Sequence, residues 1–539
     1  MDQRRRRRAR YVAASVEKTL GSLPVVAEFC RRLDVAGIID RACPVRSVAH
    51  LSHGQVIEAL IANRLTSPTP LVRVLDWAKQ WAVEEVFGID PVSLNDDRIG
   101  RALDAIAPEL DSIIGSVGAQ AISTFGLDVS RLHWDMTSIS LYGAYEHNDD
   151  EFAAPKFGHP KDRRPDLKQV QAGLAVTTDG GVPVFHRAYD GGAGEVSQVV
   201  GAMTALQKLA TPPGFLLVGD SKLVSYGNLA AMSRAKVTFL APASKTYVPA
   251  TILATLDLDA ATEVDYVAQR DAAKPPDQRG RWRVFEDTMT MTGPRKRDPV
   301  LHLRRIFVHS TARAHAAVTA RAKKLDRARD DLDRLSRGLG SRHYPDAAAV
   351  TARITAISRA RKVARYLRTA VGTNPATGKP TLEWHYDEHA LATEAATDGW
   401  YALLTNLPAD TDPAEVLRRY KAQETVERRY SAFKGPLAVA PMFLNNNRRI
   451  AALITVICLA LLIFCLIERQ VRTAIAPETT LEGLYAGRPA KPTGRLIFQA
   501  LAPLRLIPAA AGHPPGIPQP QPLQARLLDL LGVDPTQPP

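Results

Sequence analysis

Two aspartates and one charged strip have the residue types and positions that metal-assisted chemistry needs. Asp135 lies in RLHWDMTSISLYG with apolar residues on both sides, and Asp220 closes the apolar run GFLLVGD. In an α/β sheet, acids at strand ends face the crevice where ligands bind. Loop aspartates also commonly cap helices, so either acid alone says little. The segment YKAQETVERRYSAFK sets Tyr420, Gln423, Glu427 and Lys434 at offsets 0, 3, 7 and 14. At about 100° per residue these fall within a ~60° sector of one helix face. A carboxylate with a cation two turns on and a tyrosine two turns back forms a strip suited to a metal ion and flanking phosphates. An exposed amphipathic helix with accidental heptad spacing gives the same pattern.

The elements that must position these residues can be read from periodicity. RLHWDMTSISLYG, QVQAGLAVTT and VPVFHRAY predict three successive strands, Glu195–Leu209 a helix, and GFLLVGD and KVTFLAPAS buried strands. Hairpin strands, then a helix, then a buried strand describe the start of a ribonuclease-H-like α/β fold. Residues 15 to 125 read as helical, with Ser52 and Asn95 or Asp96 as N-caps and Arg64, Arg98 and Arg101 on the helices. That region suits a helix-turn-helix-like DNA reader or a plain helical bundle. Between 250 and 395 come alternating segments (RWRVFEDTMTMT, VLHLRRIFVHS) and charged helices at Ala314–Arg337 and Ala347–Val371. The second carries Arg353, Arg359, Arg361, Lys362, Arg365 and Arg368, as a solvated face or a phosphate-binding one. A strand, GWYALLTNL, precedes a helix expected over Pro413–Phe433.

The strip resembles the Tyr-(2)-Arg-(3)-Glu-(6)-Lys signature of insertion-sequence transposases with a DDE active site. The following PMFLNNNRRIAALITVICLALL and the upstream GHPKDRRPDLKQVQAGLAVTTDGGVPVFHRAYDGG are similar to segments of the same group, so the resemblance runs from about 130 to 470. It implies an α/β, ribonuclease-H-like catalytic domain in which Asp135, Asp220 and Glu427 hold Mg²⁺ or Mn²⁺, as two ions. Two such ions polarise the phosphoryl group, activate the nucleophile and stabilise the leaving oxygen, and Mg²⁺ suits an all-oxygen site. The resemblance further implies cleavage at transposon ends and strand transfer into target DNA through a hairpin intermediate, by a homodimer on DNA. Tyr420, Gln423, Lys434 and Arg428 are the implied DNA contacts. Gln423 departs from the group, which carries arginine there; Lys421, Arg428 or Arg429 would compensate.

Composition frames this reading. The 539 residues carry 69 Lys and Arg against 56 acids, a net charge of +13, which suits a polyanionic partner, nucleic acid or anionic membrane. Cys30, Cys43, Cys458 and Cys465 form no CxxC pair and read as buried thiols. The N-terminal MDQRRRRRAR is a solvated tail or a nucleic-acid arm, and no apolar signal segment follows it, so a bacterial cytoplasmic location is expected. Ala451 to Ile467 is a 17-residue apolar run without charge, at the lower limit for a membrane span, and reads as a helix buried on all sides. The expected organisation is a helical N-terminal domain (1–125), a catalytic domain (126–250 and 396–475) split by a strand-and-helix insertion (251–395), and a proline-rich tail (476–539). Rival readings are a catalytically inactive DNA-binding derivative, a structure-specific nuclease of the same fold, and a protein anchored to a membrane by 451–467.

Overall fold

The computed structural model describes residues 17–46, 49–145, 149–209, 214–268, 271–437, 439, 442, 444–507 and 516–536. The arginine run Arg4–Arg8 lies outside the described residues. The chain divides into two compact units: residues 1–219, 231–237 and 422–539 form the first, and 220–230 with 238–421 the second. The second unit therefore takes in the chain on both sides of 251–395, and neither 250 nor 395 is a unit edge.

The first unit begins with a short strand β1 (Lys18–Thr19) and the helices α1 (Leu23–Arg32), α2 (Val35–Ala42), α3 (His53–Thr66), α4 (Val74–Gln80), α5 (Val83–Phe87), α6 (Asp96–Ile106) and α7 (Leu110–Phe125). The caps expected at Ser52 and Asn95 form. Ser52 Oγ accepts the Gln55 N–H while Gln55 returns a bond to the Ser52 N–H, and Asn95 accepts from the Arg98 N–H. Where the period changes come β2 (Arg131–Leu141), β3 (Lys168–Thr177), β4 (Pro183–Asp190), α8 (Glu195–Leu209) and β5 (Leu216–Val218). They are ordered β4–β3–β2–β5. The two hairpin pairings are antiparallel, and β2 runs parallel to β5 with His133 opposite Val218. The β3–β4 turn uses Gly180 and Gly181 at φ of 81° and 61°, a region that glycine enters without a Cβ clash.

After α9 (Tyr226–Arg234), which the unit boundary divides, the second unit contains β6 (Thr238–Pro242), α10 (Ala250–Ala254), β7 (Thr262–Val264), β8 (Trp282–Met291), β9 (Leu301–Ser310), α11 (Thr311–Arg337), α12 (Ala347–Arg361), β10 (Leu367–Thr373), β11 (Pro380–Tyr386), α13 (Glu388–Ala395), β12 (Trp400–Thr405) and α14 (Pro413–Lys421). Its strands are ordered β6–β12–β9–β8–β7, and β10 pairs with β11 as a separate hairpin. The helix expected to reach Val371 ends ten residues sooner, at Arg361. Lys362 turns into the left-handed region (φ 56°), and Val363, Tyr366 and Leu367 then bury against Leu332, Ile354 and Ile357. Burial of those apolar groups outweighs the helical propensity of the arginine-rich run, so Arg365 and Arg368 are not on α12.

The first unit resumes with α15 (Glu424–Lys434), α16 (Asn447–Ala474), β13 (Leu481–Tyr485), β14 (Arg488–Ala490), α17 (Gly494–Leu501), β15 (Arg505–Leu506) and α18 (Pro522–Leu531). The apolar helix α16 is long and apolar enough to cross a membrane, but its apolar window is wholly enclosed by protein. Helices α3, α6, α15, α17 and α18 and strand β4 pack around it. Each fully buried Leu or Ile there contributes roughly 1.5–3 kcal/mol. Its one buried acid, Glu468, accepts from Arg429, Arg472 and the Gly494 N–H. Residues 476–539 are more than an extended tail. Prolines stand at element edges there, as Pro522 does in the first turn of α18, whose Leu527, Leu528 and Leu531 are buried.

Taken together, the protein is of mixed α/β class, as expected from the alternating periodicities.

Candidate active site

Strand alternation puts His133, Asp135 and Thr137 on one face of β2 and Trp134 and Met136 on the other. Trp134 packs against Phe185 and Tyr189. The face with Asp135 meets α15. His133 is wholly buried, with Nδ1 2.8 Å from Gln423 Oε1 and Nε2 3.3 Å from Thr178 Oγ1. Burial pushes its pKa down to about 4, Arg131 adds to the depression, and the Gln423 bond opposes it. His133 is therefore a neutral imidazole at pH 7. Tyr430, buried on α15, donates its hydroxyl to the Asp135 carbonyl at 2.5 Å and also reaches the Ala172 carbonyl at 3.3 Å.

The Asp135 carboxylate is only 15% exposed. Its Oδ1 accepts the Met136 N–H at 2.8 Å and the Lys161 ammonium at 3.2 Å. Lys161 also donates to the Met136 carbonyl and stands 3.9 Å from Glu195 Oε1. One ammonium thus sits between two carboxylates, at a place where a cation is favourable. Among the described residues, no three His, Cys, Asp or Glu side chains come together as a metal cluster.

Glu427 and Arg428 are exposed on α15. Gln423, Glu427, Tyr430 and Lys434 follow one another at steps of four, three and four residues, and so form a single stripe on the helix. Two members of that stripe, Gln423 and Tyr430, are fixed on β2 at His133 and Asp135. Lys434 has its pKa lowered, first by burial and then by the charge of Lys161, while Asp162 and Asp135 pull the other way. Arg429, one position from Tyr430, is buried and spends its donors on the Gly180 and Gly181 carbonyls and on Glu468.

The expected continuous helix over Pro413–Phe433 is broken. Helix α14 ends at Lys421 and α15 begins at Glu424, with no glycine or proline between them. Tertiary contacts on each side hold the break. Lys421 stands 3.8 Å from the centre of the Trp282 ring and 5.5 Å from that of Tyr401, while Gln423 is bonded to His133. Tyr420 accordingly belongs to the second unit, where it lines a cavity of about 450 Å³ with Trp282, Arg313, Tyr401 and Lys421. Asp220 is also in the second unit; its carboxylate accepts the Lys222 N–H at 2.9 Å, capping the turn that follows β5.

The structure therefore brings Asp135, Gln423, Glu427 and Lys434 onto facing elements of the first unit. Gln423 is held to His133 through its side-chain oxygen. Of the arginines weighed for a helix-turn-helix reader, one is buried and two have partners within the first unit. Arg64 is 7% exposed, Arg98 bonds to His53 and the Leu51 carbonyl, and Arg101 pairs with Asp97. Sequence reasoning missed His133, Lys161, Glu195 and Tyr430. Tyr430 was findable, since it continues the stripe three residues after Glu427. Lys161 reaches Asp135, and Glu195 reaches Lys161, only through tertiary folding.

Three comparisons with known proteins bear on this chain. Residues 15–113 match a domain of unknown function, DUF4277. No curated protein matches. Among solved structures, the chain is similar to the cryo-EM structure of a piggyBac transposase synaptic complex with hairpin DNA. That likeness has a TM-score of 0.37 and 9% identity over 92% of this chain and 81% of the other. It is too slight to carry an argument about fold or function.

Proposed function

We propose that this chain is a DNA transposase with a ribonuclease-H-like core, which cleaves phosphodiesters at the ends of a mobile element and joins the freed 3′ ends to target DNA. The observation that carries the reading is the stripe on α15. The segment that resembles a transposase signature is seated by Gln423 and Tyr430 on the strand that bears Asp135. Asp135, Asp220 and Glu427 are the proposed acids.

The donor chemistry fits a hard divalent cation, since the set is all carboxylate and Lys161 already stands as a cation between Asp135 and Glu195. Asp135, Asp220 and Glu427 would hold Mg²⁺ or Mn²⁺, which supplies phosphoryl polarisation and an activated water when bound. The chain's own residues do the positioning. Tyr430 and Gln423 fix α15 against β2, so that Glu427 has a set register relative to Asp135. Lys161 balances the Asp135 charge in the absence of substrate. Lys434 and the exposed Arg428 offer cations to the phosphates that flank the scissile bond. Strand β5 pairs in parallel with β2, with Val218 opposite His133.

The test is cleavage of a DNA duplex carrying the element's own ends in Mg²⁺. Asp135→Asn and Asp220→Asn should each abolish cleavage and leave end binding within a few-fold. Near-wild-type cleavage by either variant refutes its place in the acid set.

A further inference from the structure

A cavity of about 720 Å³ opens in the first unit beside the C-terminal turn of α3, the loop Pro68–Val72 and the N-terminus of α16. Arg64 lines it. This side chain is only 7% exposed, and its Nε is buried with no hydrogen-bond partner. No carboxylate pairs with it among the described residues. A buried guanidinium left without an anion is costly. Burial lowers its pKa to about 10, so it keeps its charge at neutral pH.

The rest of the wall points the same way. Arg449, a second cation on the wall, is already committed to Asp104 through bonds of 2.9 and 2.6 Å. Asp96, an acid on the wall, acts on Arg449 and adds to the charge balance there. Asn445 and Asn446 bring the start of the 28-residue helix α16 to the cavity, where the helix presents its partial positive charge. Leu71 and Leu453 give the remaining wall an apolar character. A phosphate alone would leave most of this volume unfilled, whereas pockets for small organic ligands run from about 300 to 1,000 Å³.

We propose that this cavity is a binding site for an organic phosphate of nucleotide size, with the phosphate on Arg64 at the N-terminus of α16 and the base or sugar against Leu71 and Leu453. The site is separate from Asp135 and stands whether or not the chain cleaves DNA. The nucleotide is either free or part of a DNA strand.

The experiment is calorimetric titration of the full chain at constant ionic strength. The probes are inorganic pyrophosphate, adenosine monophosphate and a short single-stranded oligonucleotide. Adenosine monophosphate or the oligonucleotide should bind the wild type, and more tightly than pyrophosphate does; pyrophosphate binding as tightly as either overturns the proposal. Arg64→Met should weaken that binding at least tenfold, and Arg64→Lys should weaken it less. Adenosine monophosphate binding as tightly as the oligonucleotide identifies a free nucleotide, and binding of the oligonucleotide alone identifies a strand phosphate. Val72 lines the cavity and is 68% exposed, so Val72→Glu keeps the fold and places an anion at the mouth. That variant should weaken binding several-fold even if Arg64→Met does not fold. Failure of all three probes to bind the wild type, or equal affinity in wild type and Val72→Glu, overturns the proposal.

Discussion

Replacing Gln423 by methionine removes one hydrogen-bond acceptor while keeping the length of the side chain, and the structure predicts a loss of stability rather than of DNA affinity. His133 has no exposed surface, and its Nδ1 is 2.8 Å from Gln423 Oε1. Without that oxygen, one ring nitrogen is left unpaired in the protein interior, at a cost of about 1–3 kcal/mol. Burial, which the Gln423 bond only partly offsets, also gives the ring an acid transition. His133 is held at about 4 against 6.5 for the free side chain. At 1.36 kcal/mol per pH unit, that gap corresponds to about 3.4 kcal/mol. Its folded pKa lies below the unfolded one, so the unfolded chain takes up the proton first as pH falls. The contribution is complete above pH 6.5 and is lost on the way down to pH 4. Gln423→Glu sets a carboxylate against the ring, raises the folded pKa and should shrink that loss. Thermal midpoints at pH 7.5 and pH 5 read both effects. Gln423→Met should melt lower at pH 7.5, Gln423→Glu should lose less than wild type between pH 7.5 and 5, and Gln423→Met should hold duplex DNA within twofold of wild type. If Gln423→Met keeps the wild-type midpoint and binds DNA tenfold more weakly, the side chain faces DNA and the packing of α15 described above is wrong.

Other expectations follow from buried charge. Burial raises the Glu58 pKa to about 7 despite the bond from the Ala36 N–H, with Asp40 and Asp34 adding to the rise. Its folded pKa exceeds the unfolded value, so stability falls as pH climbs from about 4.5 to 7. Glu58→Gln should therefore gain up to ~3 kcal/mol at pH 8 and almost nothing at pH 4.5, as unfolding midpoints at the two pH values will show. Glu468, 5% exposed on its side chain, accepts from Arg429 at 3.0 Å and Arg472 at 2.8 Å. Glu468→Ala strands those cations and should cost about 3–5 kcal/mol in urea unfolding; a loss under 1 kcal/mol contradicts the buried network. Lys161→Met takes the ammonium from between Asp135 and Glu195, so added Mg²⁺ should raise its melting temperature more than that of wild type. An equal rise in both proteins denies those carboxylates an affinity for cations.

Much of the first unit's architecture was legible in the sequence because its periods are clean. The apolar, β-branched runs of β2, β3 and β4, the helix α8 and the caps at Ser52 and Asn95 are local features, and each falls where the pattern puts it. The departures arise where distant burial decides. The end of α12 depends on Tyr366 and Leu367 reaching a cluster with Leu332, the break before α15 on Lys421 and Gln423 finding partners in different units, and α18 on Leu527 and Leu531 finding cover. At the candidate site the stripe of Gln423, Glu427 and Lys434 could be read from spacing alone. That Gln423 turns to a buried histidine, and that Lys161 lies on Asp135, could not. Both contacts join segments far apart in the chain, and no local pattern encodes them.

The central claim is that Glu427 completes an acid set with Asp135 and Asp220, and the measurement that reaches it most directly compares two neighbouring acids. Purified wild type, Glu427→Gln and Glu424→Gln, matched for thermal midpoint, are assayed for cleavage of a duplex bearing the element's ends in Mg²⁺. Glu427 belongs to the stripe that Gln423 and Tyr430 seat on β2. Glu427→Gln should cut at least a hundredfold more slowly, since a carboxylate that holds a catalytic cation supplies several kcal/mol of charge stabilisation. Glu424→Gln should retain most of the wild-type rate. Loss of cleavage in Glu424→Gln with retention in Glu427→Gln would contradict the account.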